Sequence, residues 1–317
     1  MNLSIVVPLY NEAESLPELT AWIRRVLDPT DWSYEVILVD DGSRDGSWEV
    51  IRGLQAEMAS LRGIRFQRNY GKSAALQVGF AAAQGKVVIT MDADLQDSPD
   101  EVPALYHMIT AEGYDLVSGW KRKRHDPIGK TLPSRLFNAV ARAVSGIHNL
   151  HDFNCGLKAY KSEVVKNIEV YGEMHRYIPM LAKWAGFDRI TEKPVEHHAR
   201  KYGVSKFGVS RLITGFLDLI SLLATQKYLK KPMHFFGTWG VLFAAVGGGT
   251  MLYLAFIRLV QGIWITDRMP AMLFGATTLL MGLILFSTGL LGELIARNSP
   301  IRNEYRIAET MGLPDAD

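Results

Sequence analysis

Asp92 and Asp94, separated by Ala93 and followed by Leu95 and Gln96, are the residues whose types and spacing most plainly do chemistry. Two carboxylates one residue apart, with a nearby amide oxygen, supply hard ligands to Mg2+ or Mn2+, and either ion also holds a diphosphate. Such an ion neutralises charge on a departing diphosphate. An Asp-x-Asp triplet alone is also a common solvated turn. This one stands at the end of the apolar run 87–91, with Gln96 and Pro99 following. A second acidic pair, Asp40 and Asp41, closes another apolar run, 35–39.

Those placements are meaningful only if the runs are strands of one sheet. Segments rich in β-formers at 4–8, 35–39, 63–67, 86–91 and 116–118 alternate with helical patterns at 15–27, 47–58, 73–83 and 99–112. The alternation predicts the α/β class, with a mostly parallel sheet covered on both faces. In such sheets ligands gather at the carboxyl ends of the strands, where both acidic pairs fall. The apolar run 3–9 has no basic n-region and no small-residue cleavage site, so it reads as a first strand and not a signal peptide.

With 35 basic and 33 acidic residues in 317, the net charge of +2 leaves no global field to gather nucleic acid, and no such partner is expected. The single cysteine, Cys155, cannot form an internal disulfide; it fits a reducing compartment and reads as a small packed residue. His148, His151, His197 and His198 match no zinc spacing and read as packing or surface residues.

The C-terminal third changes character. Val209, Leu212, Ile213, Phe216, Leu219, Ile220 and Leu223 follow helical spacing ahead of Lys227, Lys230 and Lys231, which suits a helix lying in a membrane interface or one packed on a domain. Two uncharged stretches, about 235–257 and 271–292, each reach the roughly 20 residues that cross a bilayer core. Cations crowd the outer flanks, at Lys227, Lys230, Lys231, Arg297, Arg302 and Arg306, whereas the connecting loop holds Arg258 and Arg268 beside Asp267. The positive-inside rule then puts both ends and the catalytic domain in the cytoplasm, on a multi-pass protein of the inner membrane. Gly247, Gly248 and Gly249 would let the spans approach closely. The expected organisation is a catalytic domain over 1–206, an interfacial helix over 207–232, a membrane hairpin over 233–296 and a cytoplasmic tail over 297–317.

Three motifs in order, residues 5–12 (IVVPLYNE), 39–43 (VDDGS) and 92–96 (DADLQ), resemble glycosyltransferase family 2. The run 200–206 (RKYGVSK) and the terminal hairpin are similar to the branch that glycosylates polyprenyl phosphates, dolichol-phosphate mannosyltransferases among them. The resemblance implies a GT-A fold, a nucleotide-sugar donor, a polyprenyl phosphate acceptor and inversion. It implies that Pro8, Tyr10, Glu12 and Asp40 line the nucleotide pocket, with Asp41, Lys72, Asp92 and Ala93 beside the donor and Asp92, Asp94 and Gln96 on the metal. Taken singly, Glu12 also suits the first turn of a helix, Asp41 a turn and cap, and Lys72 a solvated position. For the acceptor phosphate the matching positions are Ser134, Arg135, Arg200 and Lys206, together with Lys121 or Arg122, where relatives carry an arginine. Asp152 matches an aspartate beside the transferred sugar. A phosphate acceptor is already ionised near neutral pH, so Asp152 is expected to orient and not to act as a strong base, with catalysis shared between it and Asp94.

A processive polysaccharide synthase would carry a Gln-x-x-Arg-Trp motif and more spans, and this chain has neither. A diacylglycerol or protein acceptor, and a silent membrane scaffold that presents lipid, are the remaining alternatives. The identity of the sugar is not written in short motifs, and a homo-oligomer is left open.

Overall fold

The computed structural model describes residues 1–122, 141–142, 145–199, 201–202, 233–262, 264, 268–298 and 307–311. They form two compact units, one of Met1–Gly215 with Asn303–Asp317 and the other of Phe216–Arg302.

All seven residues of β1 (Leu3–Leu9) are buried, as a strand covered on both faces requires. Around it the first unit builds β2 (Tyr34–Asp40), β3 (Leu61–Phe66), β4 (Val87–Thr90), β5 (Leu116–Trp120), β6 (Lys158–Lys161), β7 (Ile190–Pro194) and β8 (Ile307–Met311). Between them run α1 (Leu16–Leu27), α2 (Ser47–Glu57), α3 (Lys72–Ala82), α4 (Val102–Thr110), α5 (Ser162–Asn167) and α6 (Ile178–Trp184). Leu16, Leu19, Ile23 and Leu27 of α1 share one buried face at helical spacing and join the core of β1 and β2 with Trp48 and Ile51 of α2.

The sheet order is β7-β5-β6-β4-β1-β2-β3-β8. β1 pairs in parallel with β2 and β4, β2 with β3, and β5 with β7, as the alternation predicts. The sheet is nevertheless mixed, because β6 runs antiparallel between β4 and β5. With a lysine at each end of its four residues, Lys-Ala-Tyr-Lys, β6 shows no apolar run to mark it. β8 is the second antiparallel member, on the outer edge of β3 with Gly63 opposite Met311. Residues 307–311, within the stretch expected as a cytoplasmic tail, therefore extend the catalytic sheet. The parallel register sets Leu9 opposite Asp40 and Val6 opposite Thr90, so Tyr10, Asp41 and Asp92 all emerge at one end of the sheet.

In the second unit, α7 (Thr238–Gln261) with the π-helical turn ahead of it, Met233–Gly237, and α8 (Met269–Asn298) supply two segments long and apolar enough to cross a membrane, Phe235–Gln261 and Met269–Gly292, each with mean hydropathy 1.9. Leu252, Leu259, Phe274 and Ile284 are each more than half exposed, the pattern of lipid-facing side chains. Glycine draws the two helices together: a Cβ on Gly247 would stand 2.3 Å from the Leu279 backbone nitrogen, and one on Gly282 would stand 2.4 Å from that of Ala244. Gly248 and Gly249, expected to share this role, meet nothing within 4 Å. The helix expected over 207–232 lies outside the described residues.

Candidate active site

The chain turns sharply after β4. Leu95 adopts φ +60°, a left-handed backbone that costs a branched side chain about 1–2 kcal/mol. The turn folds residues 92–97 back on themselves. The Gln96 amide donates to Asp94 Oδ1 at 3.2 Å, and the Asp92 amide reaches Asp97 Oδ2 at 3.4 Å. Ala93 and Asp94 are buried, while Asp92 and Gln96 are half-buried.

Asp97, which the motif reading passed over, is fully buried. Lys121 Nζ stands 2.8 Å from its Oδ1, an ion pair more than an aligned hydrogen bond. Burial would depress the Lys121 ammonium, but Asp97 foremost, with Asp92 and Cys155 adding to it, drives the pKa up. Lys121 thus braces the acidic loop from β5, whereas Arg122 is exposed, with its guanidinium 5.9 Å from the Trp120 ring. A third carboxylate five residues after Asp92 was the available signal for Asp97.

Lys72, first residue of α3, contacts Asp92 Oδ1. Burial would raise the Asp92 pKa, yet Lys72 and Lys121 prevail and hold it down to about 2, so Asp92 is ionised at any working pH. The two share a recess with Pro8, Asn154, Gly156, Lys158 and His175. Among the described residues, no three His, Cys, Asp or Glu side chains converge to hold a metal. Asp92, Asp94 and Gln96 together still offer the oxygen donors that suit a hard divalent ion completing its shell with diphosphate and water.

On the other side of β1, Asp40 is fully buried with Oδ1 accepting the Ser43 amide at 2.8 Å. Its Oδ2 has no hydrogen-bond partner and lies 3.8 Å from Arg65 Nε. Burial raises its pKa, with Ser43 and Arg65 opposing. A buried carboxylate oxygen left without a donor suits a ligand hydroxyl or N–H. Asp41 has a different commitment: its oxygens accept the Tyr70 amide at 2.6 Å and the Gly71 amide at 2.9 Å. Burial raises its pKa to about 6 against those two bonds. Asp41 therefore reaches the site through the turn that launches α3 and Lys72. Tyr10 and Glu12 are half-buried after β1, and the Glu12 carboxylate accepts the Ser15 hydroxyl at 3.2 Å at the start of α1.

Asp152 is buried in the loop leading to β6; its Oδ1 accepts the Asn154 amide at 3.1 Å, and its carbonyl accepts the Ser118 hydroxyl at 3.3 Å. Beside it Cys155 is fully enclosed, and burial pushes its thiol up to about 12, an inert packing residue. The segment leading to Arg200 is fastened to the acidic loop by an antiparallel bridge between Asp97 and His197 and by the His198 amide on the Gln96 carbonyl at 2.9 Å. Arg200, Lys206, Ser134 and Arg135 lie outside the described residues.

The model of the family described as glycosyl transferase family 2 matches residues 4–169, more than half of the chain. The chain belongs to glycosyl transferase family 2. Within that family it is 37% identical over 300 residues to a dodecaprenyl-phosphate galacturonate synthase of Rhizobium johnstonii, covering 94% of this chain and 88% of that one. It is likewise 37% identical over 298 residues to an undecaprenyl-phosphate 4-deoxy-4-formamido-L-arabinose transferase of Aeromonas hydrophila, covering 93% and 88%. Among solved structures it is similar to glucosyl-3-phosphoglycerate synthase from Mycobacterium tuberculosis in complex with Mn2+ and UDP-glucose. That likeness has a TM-score of 0.55 at 21% identity over 71% of this chain and 78% of that one, and it shows the GT-A fold.

Proposed function

We infer that this family 2 enzyme transfers a sugar from a UDP- or GDP-linked donor to a polyprenyl phosphate, with inversion at the anomeric carbon. One observation carries the reading. The likeness to two transferases named for polyprenyl phosphates spans more than nine-tenths of this chain, apolar hairpin included, where the family model ends at residue 169. A nucleotide domain alone would suit any acceptor; a lipid acceptor calls for the hairpin as well.

In this reading Asp40 takes the base or ribose with its unpartnered oxygen, Pro8, Tyr10 and Glu12 line the same pocket, and Asp41 holds the turn that presents Lys72. Asp92, Asp94 and Gln96 would hold Mg2+ or Mn2+, which would supply charge to balance the leaving diphosphate. The acceptor phosphate oxygen forms the new bond at the anomeric carbon as the bond to the nucleoside diphosphate breaks. Both anions gather in one place, so Arg122, Ser134, Arg135, Arg200 and Lys206 are assigned to the acceptor phosphate. Asp152 orients the acceptor or a sugar hydroxyl. The enzyme sits in the inner membrane with its active site on the cytoplasmic side. Support comes from β8, which returns to the catalytic sheet after two candidate spans, as it can only if both ends of the hairpin emerge on one side. The cation-rich flanks select the cytoplasm as that side.

Purified enzyme given a panel of nucleotide sugars, polyprenyl phosphate and Mn2+ will form a chloroform-extractable glycolipid. Asp94→Ala will lower the rate by about a hundredfold or more. Transfer to diacylglycerol but never to polyprenyl phosphate would sink the reading of the acceptor, and Asp152→Asn at full turnover would remove Asp152 from the mechanism.

A further inference from the structure

Lys158 is a buried cation that the roles above do not use. It opens β6 opposite Thr90, is 3% exposed, and lines the same recess as Asp92 and Lys72. Among the described residues its ammonium meets no carboxylate at ion-pair distance, and the acceptor it contacts is the Cys155 carbonyl. A lysine seldom sits so deep without a carboxylate beside it, since taking an ammonium out of water costs several kcal/mol.

The surroundings say what the charge is for. Three successive carbonyls of the loop carrying Asp152 are each held by a donor, one from the start of β6 itself and two from the neighbouring strands β4 and β5. Lys158 Nζ takes that of Cys155, the Thr90 hydroxyl takes that of Gly156 at 2.8 Å, and the Gly119 amide takes that of Leu157 at 2.8 Å. The loop is pressed onto the acidic motif, since a Cβ on Gly156 would stand 2.6 Å from Asp92 Oδ2. Burial lowers the Lys158 pKa, and the carboxylates of Asp152 and Asp92 are among the groups that oppose it and keep the ammonium charged. Of the three donors only Lys158 is an ammonium, so it alone grips the loop with a charge-assisted bond.

We propose that Lys158 is a positioning residue for the transfer: its ammonium clamps the Cys155 carbonyl and thereby holds Asp152 in register with Asp92. The proposal rests on the transfer reading and on the role given there to Asp152.

The test is a double-mutant cycle on the full-length enzyme in detergent, with the donor and polyprenyl phosphate that the wild type uses. Lys158→Met keeps the apolar stem and removes the charge; it will lower kcat at least tenfold while the donor KM stays within threefold. Lys158→Arg, which restores a charged donor, will recover most of that loss. In an Asp152→Asn background Lys158→Met will cost less than threefold more, because a residue that acts through Asp152 has little left to disturb. A merely structural lysine would cost the same factor in both backgrounds and move KM along with kcat, which overturns the proposal, as does wild-type kcat in Lys158→Met. Should Lys158→Met not fold, Thr90→Val releases the adjacent carbonyl without touching a charge. It will lower kcat three- to tenfold, again with little further effect on Asp152→Asn, and an equal loss in both backgrounds counts against the clamp. No glycolipid from the wild type with any donor would instead sink the transfer reading, and this one with it.

Discussion

Replacing Asp97 by Asn separates the brace of the acidic loop from its ligands. Asp97 is fully buried and the Lys121 side chain is 14% exposed, so little water screens their 2.8 Å contact. At an effective dielectric near 20 that contact is worth about 6 kcal/mol of Coulomb energy, partly cancelled by the cost of desolvating both groups. Removing one partner leaves Lys121 buried without its carboxylate, a change that typically costs about 3–5 kcal/mol. For a catalytic unit of this size each kcal/mol moves the melting temperature by roughly 2–4 °C, so Asp97→Asn will melt about 6–20 °C lower. Tryptophan fluorescence during heating in detergent reads this directly. Asp97→Leu with Lys121→Met, which removes both charges and fills the space, will return to within about 1 kcal/mol of the wild type. Turnover will not return with it, because the Asp92 amide has lost its acceptor; a deficit of about tenfold, near 1.4 kcal/mol, will remain. A single variant that melts within 2 °C of the wild type, or a double variant as unstable as the single, would refute the brace.

Asp40→Asn removes a buried charge whose second oxygen has no donor, so stability will hold or rise by about 1 kcal/mol while the donor KM rises at least tenfold; calorimetry and initial rates check the two halves. Asp41 supplies a pH signature. Its folded pKa of about 6 lies above the ordinary carboxylate value near 4, so between those pH values the folded chain holds a proton that the unfolded chain has released. The stability of the wild type relative to Asp41→Asn will therefore be greatest below pH 4, fall by about 2–3 kcal/mol in all as pH rises through 6, and level off about one pH unit higher; a flat or rising difference contradicts the assignment. Gly247→Leu would drive a side chain into the Leu279 backbone, so it will part α7 from α8, lowering the melting temperature in detergent while isolated nucleotide binding persists.

Much of this molecule was legible before any coordinates. Apolar runs of β-formers mark β1, β2 and β4, because a strand buried on both faces must be largely hydrophobic, and the acidic pairs at the ends of β2 and β4 mark where a ligand gathers. The two candidate spans needed only length and lack of charge. Other features depend on partners far apart in sequence. β6 (Lys-Ala-Tyr-Lys) and β8 (Ile-Ala-Glu-Thr-Met) carry no apolar run and exist because neighbouring strands offer them hydrogen-bonding edges. Spacing could not tell that Asp41 spends both oxygens on the turn before α3, or that Asp40, one residue earlier, keeps an oxygen without a donor. Nor could it assign Lys121 to Asp97 and Lys158 to the Cys155 carbonyl, since a lysine in a sequence carries the same charge wherever its ammonium ends up. The sequence by itself determined which residue types were on hand and which stretches would be strand, helix or span, because those follow from local composition and period. Only the tertiary structure decided which carboxylates are braced and which keep an oxygen without a donor, because pairing and burial are set by what the folded chain brings within a few ångströms.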